Sequence, residues 1–380
     1  MARKSKTSAE HQPKRRTQGE AWERLLQDAE RAQFFVLGEQ HGVAEILSLA
    51  TLLHAALAKR GYTHAAMEVG PHSTDKVEKL IRSGPGALGA YIRHPDYAGV
   101  FPFLGWKDEI GLAEQYVRLS PTKDALWGID QEYVGAAPIL VELVRSRQKT
   151  AAQRAAVSGL SAAASANPRL VRDLKAFDLQ PLKQAFARDP KALQIMESYR
   201  LSGEIYAPFT VPGSNRYWAN LTRENYMKRS FAAAFAKAER EEGRPPKVFM
   251  KIGASHAMRG FSSTMVPALG NFLLEWGLPR GFGTVTMMAD CVADEPEPPC
   301  QPYFGRDHAL YAAASPGKYT LFDLKPLRSQ LRGLQGVDTK TRDLIQAFDY
   351  YVLIRDVNRA APSRLRTANP SVTPSGAQSK

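Results

Sequence analysis

Only two cysteines, Cys291 and Cys300, occur in the 380 residues, and no run of about 18 apolar residues is present. A membrane-spanning helix is therefore not expected. The cysteines flank an acidic, proline-rich stretch, CVADEPEPPC, and are read as two isolated thiols in a loop. A disulfide there would need an oxidising compartment. The N-terminus announces none, because its positive charge is not followed by an apolar segment of signal-peptide type, and cytoplasm is the expected location. Also missing are a G-x-S-x-G elbow, an H-E-x-x-H helix, a Walker loop and a G-x-G-x-x-G turn between strand and helix. Their absence removes the common nucleophile, zinc-protease and nucleotide-binding signatures.

The formal charge is +13, but its distribution matters more than its size. Residues 1–16 carry a net +5 and residues 355–380 a net +4, leaving +4 for residues 17–354. The excess lies in the ends, and a nucleic-acid partner is not expected. Hydrophobic residues make up 44% and charged residues 23%, as in ordinary globular chains.

Within the body, QFFVLGEQH reads as a buried strand ending in polar residues, followed by a helix in which Ile46, Leu49, Ala50, Leu53 and Leu57 recur at helical spacing. THAAMEVGP and DALWGIDQEY read as further strands, ending near Glu68 and Asp130. Beyond Val134 the strand signal gives way to Ala-, Leu-, Lys- and Arg-rich helical sequence. This includes a long helix from about Ser214, taken as its N-cap, to Glu242. Strands resume with KVFMKIGASH, a helix is expected from about Ala257, and GFGTVTMMAD and a final strand in KYTLFDL follow. The pattern predicts an α/β fold: a mainly parallel mixed sheet flanked by helices, with a large helical insertion at about 134–242 forming a cap. It is read as one discontinuous domain over 21–355, between disordered tails at 1–20 and 356–380.

Ligands of such sheets bind outside the carboxyl ends of the strands. Glu39 and His41 follow the first strand, two residues apart, where a carboxylate can fix the imidazole tautomer for proton abstraction. By itself, such a pair is more often a solvated turn, and the second carboxylate and second histidine at other strand ends favour the functional reading. Glu68 ends an apolar strand, where a buried acid needs a partner or a raised pKa. His256 follows another strand after Gly253, Ala254 and Ser255; a helix-capping role is its alternative. Arg216, Asn220, Arg223 and Met227 share one face of the long helix, so Arg216 and Arg223 could clamp an anionic group. Arg259 is a weaker candidate of the same kind, and Asp130 ends a third strand. His54, His64, His72, His94 and His308 are read as structural or exposed.

The motifs LGEQHG at 37–42, MEVG around Glu68, RENYM at 223–227 and KVFMKIGASHAMRG at 247–260 together resemble a superfamily of erythromycin esterases, ChaN-like haem-binding proteins and TraB/Tiki proteins. The likeness spans most of residues 30–290 in order. The Glu-x-His spacing is closer to the ChaN and TraB/Tiki branches, since erythromycin esterases usually have one more residue there. The resemblance implies a reactive water surrounded by Glu39, His41, Glu68 and His256, with Arg223 on a small-molecule substrate. In an esterase-like version His41 is the base and no cofactor is needed. In a Tiki-like version the same four residues hold a divalent metal, and in a ChaN-like version the protein binds haem or iron. The helical insertion is expected to form a lid or wall over this site and to set substrate choice.

Overall fold

The structure is a computed structural model that describes residues 19–174, 177–292, 300–305, 307–333 and 335–363. Residues 1–18 and 364–380, and with them most of both expected tails, lie outside the described residues. The first part of the chain comprises α1 (Glu20–Arg31), β1 (Ala32–Glu39), α2 (Ala44–Ala58), β2 (Tyr62–Met67), α3 (Pro71–Ser83), α4 (Ala87–Arg93), α5 (Lys107–Leu119) and β3 (Leu126–Gly128). The insertion contains α6 (Ala137–Arg145), α7 (Ala151–Ala166), α8 (Gln180–Ala185), α9 (Pro190–Tyr206) and α10 (Tyr217–Glu242). After it come β4 (Lys247–Gly253), α11 (Ala254–Ala257), α12 (Leu269–Gly277), β5 (Gly283–Cys291), α13 (Ala309–Ala312), β6 (Tyr319–Asp323), α14 (Lys325–Arg328), α15 (Thr339–Ala347) and β7 (Tyr350–Ile354).

The seven strands form one sheet in the order β3-β2-β4-β1-β5-β7-β6, parallel throughout except for β6, which runs antiparallel to β7. Successive residues of a strand face opposite sides, so each strand feeds two cores. Phe35 and Leu37 of β1, with Phe249 of β4, face the side covered by α1, α2 and α5. Phe34 and Val36, with Val248, Met250 and Ile252, face α10, α12 and α15. The carboxyl ends of β2, β4 and β1 lie side by side, with Glu39 opposite Gly253 in register.

The helical insertion is present, and its last helix also covers the sheet: Met227, Phe231 and Phe235 of α10 are fully buried, and Phe231 meets Phe34 edge-on at 5.4 Å. Several expectations need correction. The long helix starts at Tyr217 without a side-chain cap, and Ser214 instead bonds the Pro208 carbonyl. No long helix begins at Ala257; the four-residue α11 ends there, and the next helix opens at Leu269. KYTLFDL forms β6, but the last strand is β7, whose five-residue apolar run right after a helix gives little periodic signal. The boundary at 355 falls too early. Residues 356–363 return to the body, where the Ala360 amide bonds the Gly42 carbonyl at 2.8 Å and Asn358 bonds Glu45.

Cys291 and Cys300 are not isolated thiols; they form a disulfide, because β5 and the return of the chain at Cys300 place them together. Among the described residues, no helix is long and apolar enough to cross a membrane.

Candidate active site

Strand β1 delivers Glu39 into the sheet edge, and the chain then turns sharply at Gly42, in the left-handed region at φ 79°. A side chain there would strike the Trp106 ring at 2.8 Å, so the turn and the close packing both require glycine. This turn sets His41 above the ends of β1 and β4. Its Nδ1 donates to Glu39 Oε1 at 2.8 Å, leaving Nε2 free to face Glu68 Oε2 at 3.7 Å. The imidazole stacks on Phe103, with ring centres 4.3 Å apart, and Phe103 itself adopts a left-handed backbone at φ 62°. A non-glycine residue held there is strained, and such strain clusters at functional sites.

Glu68 is the hub. One oxygen accepts the Gly253 amide at 2.7 Å, and the other accepts Arg223 Nη2 at 2.8 Å and lies 3.5 Å from His256 Nε2. Arg223 also forks onto Asp130, through Nε at 3.0 Å and Nη2 at 2.5 Å. His256 Nδ1 bonds Glu224 Oε1 at 2.5 Å. Below His41, Lys251 contacts Glu39 and donates to Glu109 at 2.8 Å.

These contacts set the protonation states. Burial opposes charge on His256, as does Arg223, yet the carboxylates of Glu68 and Glu224 outweigh both and push it up to about 10. Burial likewise acts against His41, but Glu68 and Glu39 raise it above the ordinary histidine value of 6.5. Glu68 is held well below the carboxylate range despite its burial, by the two histidines and Arg223. Both imidazoles are thus biased towards the charged form, with the Glu68 carboxylate a shared cause.

His41, Glu68 and His256 crowd closely around Gly253. A Cβ built there would come within 3.2 Å of His41 Nε2, 3.3 Å of Glu68 Oε2 and 3.6 Å of the His256 ring.

The structure thus brings together Glu39, His41, Glu68, His256, Asp130 and Arg223, but neither Arg216 nor Arg259. Arg216 is exposed where α10 begins, its guanidinium 5.2 Å from the Phe209 ring. Arg259 pairs with Asp349, and its amide bonds the Ala347 carbonyl, because the chain leaves α11 at Met258 and turns towards β7. Arg223 joins the cluster through Nε and Nη2, which serve Asp130 and Glu68. Sequence reasoning missed Lys251, Glu109, Glu224 and Phe103. A lysine inside the apolar run VFMKIG was a legible signal, since a buried cation demands a counter-charge. Glu109 was less so, although it falls on the apolar face of α5.

Glu39 Oε1 is engaged by Lys251 and His41, both Glu68 oxygens are engaged, and His256 Nδ1 is taken by Glu224. Among the described residues, no three His, Cys, Asp or Glu side chains converge in a way that could hold a metal ion.

No protein-family model and no curated protein matches the chain. Solved structures do. A Bacillus cereus protein superposes with a TM-score of 0.54 at 15% identity, covering 89% of this chain and 92% of its own. A succinoglycan biosynthesis protein gives 0.57 at 15%, covering 89% and 91%. An erythromycin esterase mutant, EreC, in its open conformation gives 0.54 at 15%, covering 90% and 95%. At such identities the likeness concerns the fold, and the chain has the α/β fold of erythromycin esterase.

Proposed function

We propose that the protein is a hydrolase in which a water activated by His41 attacks an ester-like or amide-like bond of a small-molecule substrate. The supporting observation is the convergence of two imidazoles on one carboxylate at the strand ends, His41 Nε2 lying 3.7 Å from one Glu68 oxygen and His256 Nε2 3.5 Å from the other. His41, its tautomer set by Glu39, takes a proton from water as the oxygen bonds to the substrate carbonyl carbon. His256, kept cationic by Glu68 and Glu224, donates a hydrogen bond to the oxyanion that develops. Collapse of the tetrahedral species breaks the bond to the alcohol or amine, which leaves with the proton from His41. Asp130 and Arg223 hold Glu68 in place throughout. The fold shared with erythromycin esterase agrees with this chemistry and leaves the substrate open.

The test is a panel of esters, lactones and amides with wild-type protein and His41→Ala. Turnover abolished by His41→Ala, with an unchanged melting transition and ¹⁸O from solvent appearing in the acid product, supports the reading. A covalent acyl-enzyme trapped in a quenched reaction overturns direct attack by water. A stoichiometric metal in the purified protein, lost in both Glu39→Ala and His256→Ala, would transfer the site to metal-assisted hydrolysis.

A further inference from the structure

Beneath His41, on the α5 side of the sheet, Glu39 packs among charged and polar side chains to which the proposed reaction assigns no role. Glu39 and Lys251 stand on neighbouring strands and point to the same side of the sheet as Phe35, Leu37 and Phe249. Glu109 and Tyr116 are seven residues apart on α5, two turns along one helix face. All four are more than nine-tenths buried. Lys251 bridges the two carboxylates, contacting Glu39 Oε1 and donating to Glu109 Oε1 at 2.8 Å. Two oxygens in this group, Glu39 Oε2 and the Tyr116 hydroxyl, are buried with no hydrogen-bond partner among the described residues. Both residues line the same ≈ 10 Å³ cavity, together with Glu109, Lys251 and His41, which is about the space one water needs.

We propose that Lys251, Glu109 and Tyr116 are positioning residues for His41: they fix the Glu39 carboxylate so that one oxygen always accepts the His41 Nδ1 proton, with a single enclosed water joining the other oxygen to Tyr116. The physical reason is that a buried carboxylate bonded on one side only can rotate or take up a proton, and either change releases the imidazole. Lys251 supplies the counter-charge for Glu39. Glu109, pushed up by burial and by Glu39 but held down by Lys251, anchors the ammonium from the far side. The base is thereby presented with Nε2 bare, the tautomer that proton abstraction requires.

This inference deepens the hydrolase reading, and its principal readout does not depend on it. Nitrogen-15 histidine spectra of the whole protein report the tautomer of neutral His41. Wild-type protein should show the Nδ1–H form almost alone. In the double variant Lys251→Met/Glu109→Gln, which removes both charges of the outer pair together, the Nε2–H form should become the major one. Tyr116→Phe, a near-isosteric change, should shift the population in the same direction by a smaller amount. Any hydrolytic kcat should fall about tenfold or more, with KM little changed. A folded double variant with the wild-type tautomer overturns the proposal, as does a Tyr116→Phe spectrum and kcat both identical to wild type. If the tautomer shifts but no substrate is ever turned over, the hydrolase reading fails and the positioning network stands.

Discussion

Arg223 holds Asp130 with two nitrogens, Nε at 3.0 Å and Nη2 at 2.5 Å, and the same Nη2 reaches Glu68 at 2.8 Å. One residue of α10 therefore ties the insertion to the ends of β2 and β3. Removing it leaves two buried carboxylates sharing no cation, a change that costs about 3 kcal/mol or more. Arg223→Gln should lower the denaturation midpoint accordingly and remove most activity. Arg240, exposed near the other end of α10, should tolerate the same substitution within about 0.5 kcal/mol. Equal effects of the two substitutions in urea melts and turnover assays would dissociate α10 from the site.

Gly253 has φ −53°, a conformation open to any residue, so Gly253→Ala introduces no backbone strain. Its methyl group would, however, press to 3.2 Å from His41 Nε2 and 3.3 Å from Glu68 Oε2, so that these side chains must shift. The expected outcome is a folded protein with a modestly lowered thermal midpoint and at least about a hundredfold loss of any kcat/KM, roughly 2.7 kcal/mol of transition-state stabilisation. Full activity in Gly253→Ala would place the reacting water elsewhere.

The histidines give the site a signed pH dependence. Both are raised in the folded protein, so the stability they contribute is complete below the ordinary value of 6.5 and is lost as pH rises through the folded values. For His256 that window runs from 6.5 to about 10. Urea midpoints should decline across it, and His256→Asn should flatten the decline. Activity should rise above pH 6.5 as His41 becomes neutral and fall again approaching about 10 as His256 loses its proton. A profile that keeps rising past this point would remove the charged role from His256.

Gln40, between Glu39 and His41, bonds Asp290 at 2.8 Å and also exchanges hydrogen bonds with the backbone of Gln301, next to the two ends of the Cys291–Cys300 disulfide. The bridge thus braces the His41 turn. Closing a loop of this length contributes about 2–3 kcal/mol. Cys291→Ser/Cys300→Ser should lose that stability and speed amide exchange at residues 40–42, with a smaller decrease in activity. Unchanged exchange at the turn would confine the bridge to its own loop.

Much of this molecule follows from local sequence. The apolar runs at 32–39, 62–67, 247–253 and 283–291 are strands because buried parallel strands need nearly continuous hydrophobic residues, and three of them visibly end at or beside Glu39, Glu68 and His256. The helical register of 44–58 was equally plain. What the sequence could not rank was which charged residues meet. Arg216, Arg223 and Arg259 look alike in one dimension, yet only Arg223 reaches the acids, because helix phase and the exit of the chain at Met258 decide direction. Lys251 and Glu109, 142 positions apart, become partners solely through the strand order and the packing of α5 on the sheet. The disulfide arose in the same way, from where β5 ends relative to Cys300. Local sequence thus determined the strands and the residues at their ends, since periodicity and burial act over a few residues. Only the tertiary structure decided the pairing of buried charges, because that depends on distances set by the sheet as a whole.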